Sequence, residues 1–279
     1  MYRLQVKYRV MYWSKMFGLK KYKLNAGLIS DIGNKRLENQ DNFSFGELVN
    51  ADRQEHVELE LRGQKLPKAY AIMDGMGGEK LGAQASLEAA GFFSSIHKDI
   101  LTELDNADQK RKEEIFEDLI YSLNERVRKM ASEQKVRLSG TTLASIFFTE
   151  EKAYVLSVGD SEVFLVKSGN IDRINKLDAL TITVDDENLG KRTVKGGLSQ
   201  FLGMDTSEYG FHLNIKEIEL EKDDIFIICS DGLTDHVEDV EIALKVCEYG
   251  LMDSVRILLD LALERCGKDN ITILRVDVV

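Results

Sequence analysis

An α+β sandwich, with helices covering antiparallel sheets, is the fold class this sequence predicts, and three observations predict it. Two long stretches carry apolar residues at helical spacing; a central series of β-prone runs is joined by very short turns; two further helical stretches then precede a final strand. Turns that short favour antiparallel neighbours. No Ser/Gly/Pro-rich linker divides the 279 residues, the single proline, Pro67, falls in a short polar loop, and no internal repeat is visible, so one domain is expected.

The elements follow in order. Ala26-Gly-Leu-Ile-Ser30 reads as a strand leading into a polar loop from Gly33 to Asp41. Ala69 to Met73 is a second apolar run, expected to end at Asp74-Gly75-Met76-Gly77-Gly78, where three glycines permit a tight turn and close backbone approach. Leu81, Ala85, Ala89, Phe92, Phe93 and Ile96 mark one amphipathic helix, and Ile115, Leu119, Leu123, Val127 and Met130 the next. Thr141 to Thr149, Ala153 to Val158, Val163 to Val166 and Ile171 to Ile174 read as strands, followed by a strand pair over Leu213 to Ile218 and Ile225 to Cys229. Asp235 with Glu238 offers a capping box for a helix, Leu251, Val255, Leu258 and Ala262 mark another, and Ile271 to Val276 closes the chain as a strand.

A formal net charge of −11 argues against nucleic acid as a partner, since that affinity rests on Lys and Arg neutralising phosphates. Cys229, Cys247 and Cys266 are an odd count without paired spacing, which fits free thiols in a reducing, cytoplasmic setting. No run approaches the length of a membrane span. Residues 1–24 form a basic N-terminal extension: Arg3, Lys7, Arg9, Lys15, Lys20, Lys21 and Lys23 precede the first acid, Asp31. A solvated extension is the expectation there, with a docking arm as the alternative.

The informative residues are aspartates beside apolar strands. Asp74 follows Ala71-Ile-Met73, Asp160 follows Leu156-Ser-Val-Gly159, Asp231 follows Ile227-Ile-Cys-Ser230, and Asp269 precedes Ile271-Thr-Ile-Leu274. Carboxylates brought together at strand ends repel one another unless cations neutralise them. An all-oxygen donor set suits Mg²⁺ or Mn²⁺ rather than zinc, and none of His56, His97, His212 and His236 has a partner at metal-site spacing. Two such ions about 4 Å apart would acidify a shared water for in-line attack on phosphorus. Taken singly, each aspartate also reads as an ordinary turn or loop cap.

In order, the chain carries Arg36-Leu-Glu-Asn39-Gln40-Asp41, Asp74-Gly75-Met76-Gly77-Gly78, Ser139-Gly140-Thr141-Thr142, Gly159-Asp160-Ser161, Ser230-Asp231-Gly232-Leu233-Thr234-Asp235 and Asp269-Asn270-Ile271-Thr272. This series resembles the landmarks of the metal-dependent protein phosphatase family, the protein phosphatase 2C type, in its bacterial form, over roughly residues 25–279. The resemblance implies a four-layer α-β-β-α sandwich, a single catalytic domain over 25–279 with a short flap around 178–199, and hydrolysis of phosphoserine and phosphothreonine on proteins without a covalent phosphoenzyme. It implies two Mn²⁺ or Mg²⁺ ions, with a third bound more weakly. Asp74 would bridge the pair, the Gly75 carbonyl would bind one ion, and Asp231 and Asp269 would complete the other. Asp41 would act on the attacking water and join the ligand set, Asp160 would hold the third ion, and Arg36 would grip the substrate phosphate, for which its planar fork is suited. Partners would be phosphoproteins made by a Ser/Thr kinase, and the chain is expected to be monomeric.

Three positions depart from the family pattern. Gln40 stands where glutamate is common, Met76 replaces a histidine frequent in eukaryotic members, and Glu162 replaces a frequent arginine, with a structural or surface effect expected of the last. The flap stretch Asp178 to Ser199 is short, and its Lys191, Arg192 and Lys195 read equally as peptide-steering or solvated charges. Two other functions compete: a non-catalytic phosphoprotein-binding regulator, and a small-molecule phosphohydrolase on the same scaffold. Covalent phosphatase chemistry is disfavoured, because no Cys has an Arg six positions later and no Asp-x-Asp occurs.

Overall fold

A computed structural model describes residues 22–77, 79–105, 107–136, 139–186 and 190–279, without the side chains of 79–80, 183–186 and 190–195. The basic residues before Tyr22, and the side chains of Lys191, Arg192 and Lys195, lie outside it. Strand β1 (Lys23–Asp31) starts the described chain, with Leu24 fully buried. β2 (Asp41–Phe45), β3 (His56–Lys65) and β4 (Lys68–Met76) follow, then helices α1 (Glu79–Leu104) and α2 (Gln109–Glu133). β5 (Gly140–Thr141), β6 (Leu143–Phe148), β7 (Lys152–Val158), β8 (Glu162–Lys167) and β9 (Asn170–Arg173) fill the middle. β10 (Ala179–Asp186), β11 (Gly190–Leu198), β12 (Asn214–Glu219) and β13 (Ile225–Cys229) come next, before α3 (Asp231–Thr234), α4 (Asp239–Glu248), α5 (Leu251–Arg265) and β14 (Ile271–Val278).

Two antiparallel sheets result, one ordered β3-β1-β14-β13-β8-β9 and the other β12-β7-β6-β4-β2, with β5 paired to β4. The period-two alternation of their strands explains the layering. In β4, Tyr70 and Ile72 face the other sheet, whereas Ala69, Ala71 and Met73 pack under α1 and α2. In β13, Phe226 and Ile228 point between the sheets while Ile227 and Cys229 meet α4 and α5. Both faces of both sheets are therefore apolar, and both must be covered, which gives the four-layer α-β-β-α sandwich.

Three sequence expectations are corrected. The short turn at Gly159-Asp160 does not close a hairpin: β7 lies in one sheet and β8 in the other. Gly159 has φ +101°, and a Cβ there would sit 2.7 Å from the Thr142 Cγ2, so the chain crosses the sandwich at a glycine. Likewise β12 and β13 are not a pair. β12 is an edge strand on β7, and the turn between them is anchored on both sides by Leu220 N donating to Glu151 O at 2.8 Å and Asp223 N donating to Val278 O at 2.8 Å. The capping box is Glu238 with Glu241 rather than Asp235 with Glu238, because residues 231–234 already form a helical turn that ends at Asp235.

β2 and β3 were not apparent as strands in the sequence. The 179–198 stretch is a hairpin, β10 with β11, that joins neither sheet. Its root is fastened at buried Asp178, whose N donates to Gly159 O at 2.8 Å and whose O accepts Ser199 N at 2.8 Å. Along it, Leu180 and Ile182 remain 52% and 51% exposed.

Candidate metal centre

The predicted site residues gather at one end of the sandwich and come from both sheets. Asp41 and Asp74 are directly opposite each other in the β2–β4 ladder. Asp231 opens α3 just after β13, Asp269 precedes β14, and Asp160 sits in the crossing turn, 6% exposed. β4 does not end at Asp74; it runs on through Gly75 and Met76, where Gly75 pairs with Thr141. The glycine is needed for close approach rather than for a turn. A Cβ on Gly75 would meet the Gly82 carbonyl oxygen of α1 at 2.2 Å and the Gln40 carbonyl oxygen at 2.7 Å. Because both obstacles are backbone, Gly75→Ala is expected to lower stability by about 3 kcal/mol, the upper end of overpacking costs. Urea unfolding of the purified variant measures this.

The electrostatics record how close the acids are. Burial, then the neighbouring charges of Asp41, Asp231, Asp160 and Asp269, raise the Asp74 carboxyl far above its ordinary range. Asp41 is pushed up to about 7, first by burial; hydrogen bonds from Thr272 and Ser230 pull it back down, while Asp231 and Asp269 add to the rise. The cation whose charge reaches this cluster is Arg36, in the loop before β2. Its Nε donates to Asp269 Oδ1 at 2.8 Å and its Nη2 to Asp269 Oδ2 at 2.5 Å, with the two side chains 48% and 35% exposed. So the residue predicted to hold phosphate is paired here with a residue predicted to hold an ion.

Asn270, quoted in a motif but given no role, staples that loop. Its Oδ1 accepts Gln40 N at 2.9 Å, and its Nδ2 donates to Ile32 O and Glu38 O at 2.9 and 3.1 Å. The Gln40 carbonyl also braces the site, accepting Gly75 N at 3.2 Å and Ser86 Oγ at 2.6 Å. Thr142 ties Asp74 to the crossing turn, its hydroxyl accepting Asp74 N at 2.9 Å and lying 2.7 Å from the Ser161 hydroxyl. Asp178 also belongs here, since its carboxylate accepts Gly159 N at 3.1 Å and Gln200 Nε2 at 2.8 Å and so fixes the turn that carries Asp160. Ser230 and Thr272 were missed as well. Glu162 is buried and ion-paired with Arg173 on β9, a structural contact inside one sheet.

The fit of a cation can be judged from the donors. Among the described residues, no three His, Cys, Asp or Glu side chains already converge at ligand spacing. Yet the cluster consists of hard oxygen donors, the charges of Asp231 and Asp269 raise the carboxyls of Asp41 and Asp74, and glycines at 75 and 82 let two backbones meet at its edge. That donor chemistry fits Mg²⁺ or Mn²⁺.

The fold is an α-β-β-α sandwich of two antiparallel sheets, and acids carried by both sheets or by the loops at their strand ends meet at one end of it. The family model for protein phosphatase 2C matches residues 48–258, and the chain belongs to that family. Serine/threonine protein phosphatase PstP of Mycobacterium tuberculosis is 28% identical over 223 residues, covering 76% of this chain and 40% of PstP, so the chain spans less than half of that relative. Serine/threonine phosphatase Stp of Listeria welshimeri is 26% identical over 265 residues, covering 91% of this chain and 96% of Stp. Among solved structures, the S. agalactiae serine/threonine phosphatase superposes with a TM-score of 0.69 at 23% identity, covering 92% of this chain and all of that one. The catalytic domain of PstP in complex with 2 manganese ions gives 0.66 at 24% identity, covering 93% of this chain and 100% of that chain. At these identities the structural likeness establishes the fold.

Proposed function

We propose that this protein hydrolyses phosphoserine and phosphothreonine in proteins with water, at a centre of two divalent cations. The observation that carries the reading is the set of carboxylates drawn from both sheets, close enough for Asp231 and Asp269 to raise Asp41 and Asp74 by their charge, with Arg36 at its rim. The relatives' recorded activity supports it, as does the PstP domain with its manganese ions. Asp74, the Gly75 carbonyl, Asp231, Asp269 and Asp41 would hold the pair, and Asp160 a third, weaker ion. When bound, the cations neutralise the acids and make a water acidic enough to attack phosphorus near neutral pH.

The chain's own residues do the rest. Asp41 orients the water and takes its proton. A cation held by Asp269 would compete with the guanidinium for that carboxylate's charge, which would leave the Arg36 fork freer to take two phosphate oxygens. Met76 has no proton to give, so it does not protonate the departing serine or threonine oxygen. The substrate is a phosphoprotein made by a Ser/Thr kinase, and the protein acts as a cytoplasmic monomer. Among the described residues no helix is long and apolar enough to cross a membrane.

The test is release of phosphate from a phosphothreonine peptide in Mn²⁺, in Mg²⁺ and in excess EDTA, with p-nitrophenyl phosphate alongside. Full activity in EDTA overturns the metal reading, and turnover of the small ester alone favours a small-molecule phosphohydrolase. Arg36→Ala is expected to raise KM for the peptide about tenfold, the low end for a charged hydrogen bond, with kcat little changed. Steady-state kinetics on the two proteins would separate these parameters.

A further inference from the structure

Asp41 lies on β2 of one sheet, but what holds it comes from the other. Ser230, at the end of β13, and Thr272, in β14, both donate hydroxyls to the same oxygen, Asp41 Oδ2, each at 2.7 Å. Both are fully buried. We propose that Ser230, Thr272 and, behind them, Ser30 and Asn39 are positioning residues that fix Asp41 and leave its Oδ1 for the water or the cation.

Proton counting sets the direction of the network, because a hydroxyl has one proton and an ionised carboxylate has none. Ser230 gives its proton to Asp41, and its oxygen accepts Thr272 N at 3.0 Å. Thr272 also spends its proton on Asp41, so the 2.8 Å contact between Thr272 Oγ1 and Ser30 Oγ must have Ser30 as donor. Ser30 in turn accepts from Asn39 Nδ2 at 3.1 Å. The chain runs one way, from Asn39 through Ser30 and Thr272 to Asp41. Asn39 also returns to its start, since its Oδ1 accepts Asp41 N at 3.1 Å.

Hydroxyls suit this task better than cations would. A Lys or Arg beside Asp41 would cancel the charge that a divalent ion needs, whereas a hydroxyl restricts the rotamer and leaves the charge in place. Removing such an outer partner typically costs 10–100-fold in metal affinity or activity.

The inference rests on the metal-dependent reading above, and the experiment separates the two. Mn²⁺ is titrated calorimetrically into the wild type, Thr272→Val, Thr272→Ser and Ser30→Ala, with melting curves in EDTA to verify folding. Thr272→Ser, which keeps the hydroxyl, should bind Mn²⁺ within about twofold of wild type. Thr272→Val, isosteric but without the hydroxyl, should bind about tenfold more weakly, and its kcat on phosphopeptide should fall with KM little changed. Ser30→Ala leaves the Thr272 hydroxyl present but undirected and should fall between them; it carries the test if the valine variant does not fold. Wild-type affinity in Thr272→Val, or in Ser30→Ala where the valine variant fails to fold, overturns the positioning role and leaves the metal reading standing. A wild type that binds no Mn²⁺ overturns both.

Discussion

Asp74→Asn should abolish phosphate hydrolysis and, in chelator, make the protein more stable than wild type. Activity is expected to fall by well over 100-fold, more than the loss of an outer-shell partner costs, because Asp74 is the residue proposed to hold both ions. The stability gain comes from the same placement. Asp74 is half-buried, and desolvation followed by the charges of Asp41, Asp231, Asp160 and Asp269 raises its carboxyl, so its negative charge works against the folded state whenever cations are absent. Asparagine keeps the shape and removes the charge. Each 1 kcal/mol relieved raises the melting temperature of a chain this size by about 2–4 °C. Calorimetry at pH 8 in EDTA, paired with a phosphopeptide assay in Mn²⁺, gives both numbers. A variant that keeps its activity, or melts lower in EDTA, would contradict the site.

The second large effect concerns pH. In the folded protein Asp41 titrates at about 7 against an ordinary 3.8, so between those values the folded state binds a proton that the unfolded chain has released. Stability from this group is therefore fully present below about pH 4 and is lost as pH rises to 7, at roughly 1.4 kcal/mol per pH unit for one proton. In EDTA the melting temperature should accordingly fall between pH 5.5 and 7.5. Manganese reverses the sign, since an ion competes with that proton and favours the charged carboxylate. The rise in melting temperature on adding Mn²⁺ should therefore be larger at pH 7.5 than at pH 5.5. An equal rise at both values would mean that the bound ion does not displace protons from these acids.

The strands and helices that were legible are those whose apolar pattern is strong. α1, α2 and α5 declare themselves through residues such as Phe93, Leu119 and Leu258, all buried where the spacing puts them. β3 was hidden because its residues alternate apolar with charged, His56-Val-Glu-Leu-Glu-Leu-Arg62, as suits an edge strand with one wet face. β2 was hidden by its own chemistry: Asp41, Asn42 and Ser44 look like loop residues, and only burial against the opposite sheet makes them strand residues. Sheet membership was illegible for a different reason. A short turn implies a hairpin unless a glycine such as Gly159 redirects the chain, and sequence does not say which sheet the next strand enters. Of the site, the acids were readable because a charge beside an apolar run is conspicuous. The hydroxyls of Ser30, Ser230 and Thr272 were not, because Ser and Thr are ordinary residues in strands.

The β10–β11 hairpin is fastened at its root by Asp178 and joins neither sheet. Changes in its length would therefore leave the hydrogen-bond ladders of both large sheets intact. What such changes would alter is the surface beside the crossing turn, to which the hairpin root is tied through Asp178 and Gly159, so this face of the molecule can be reshaped while the packed layers stay as they are.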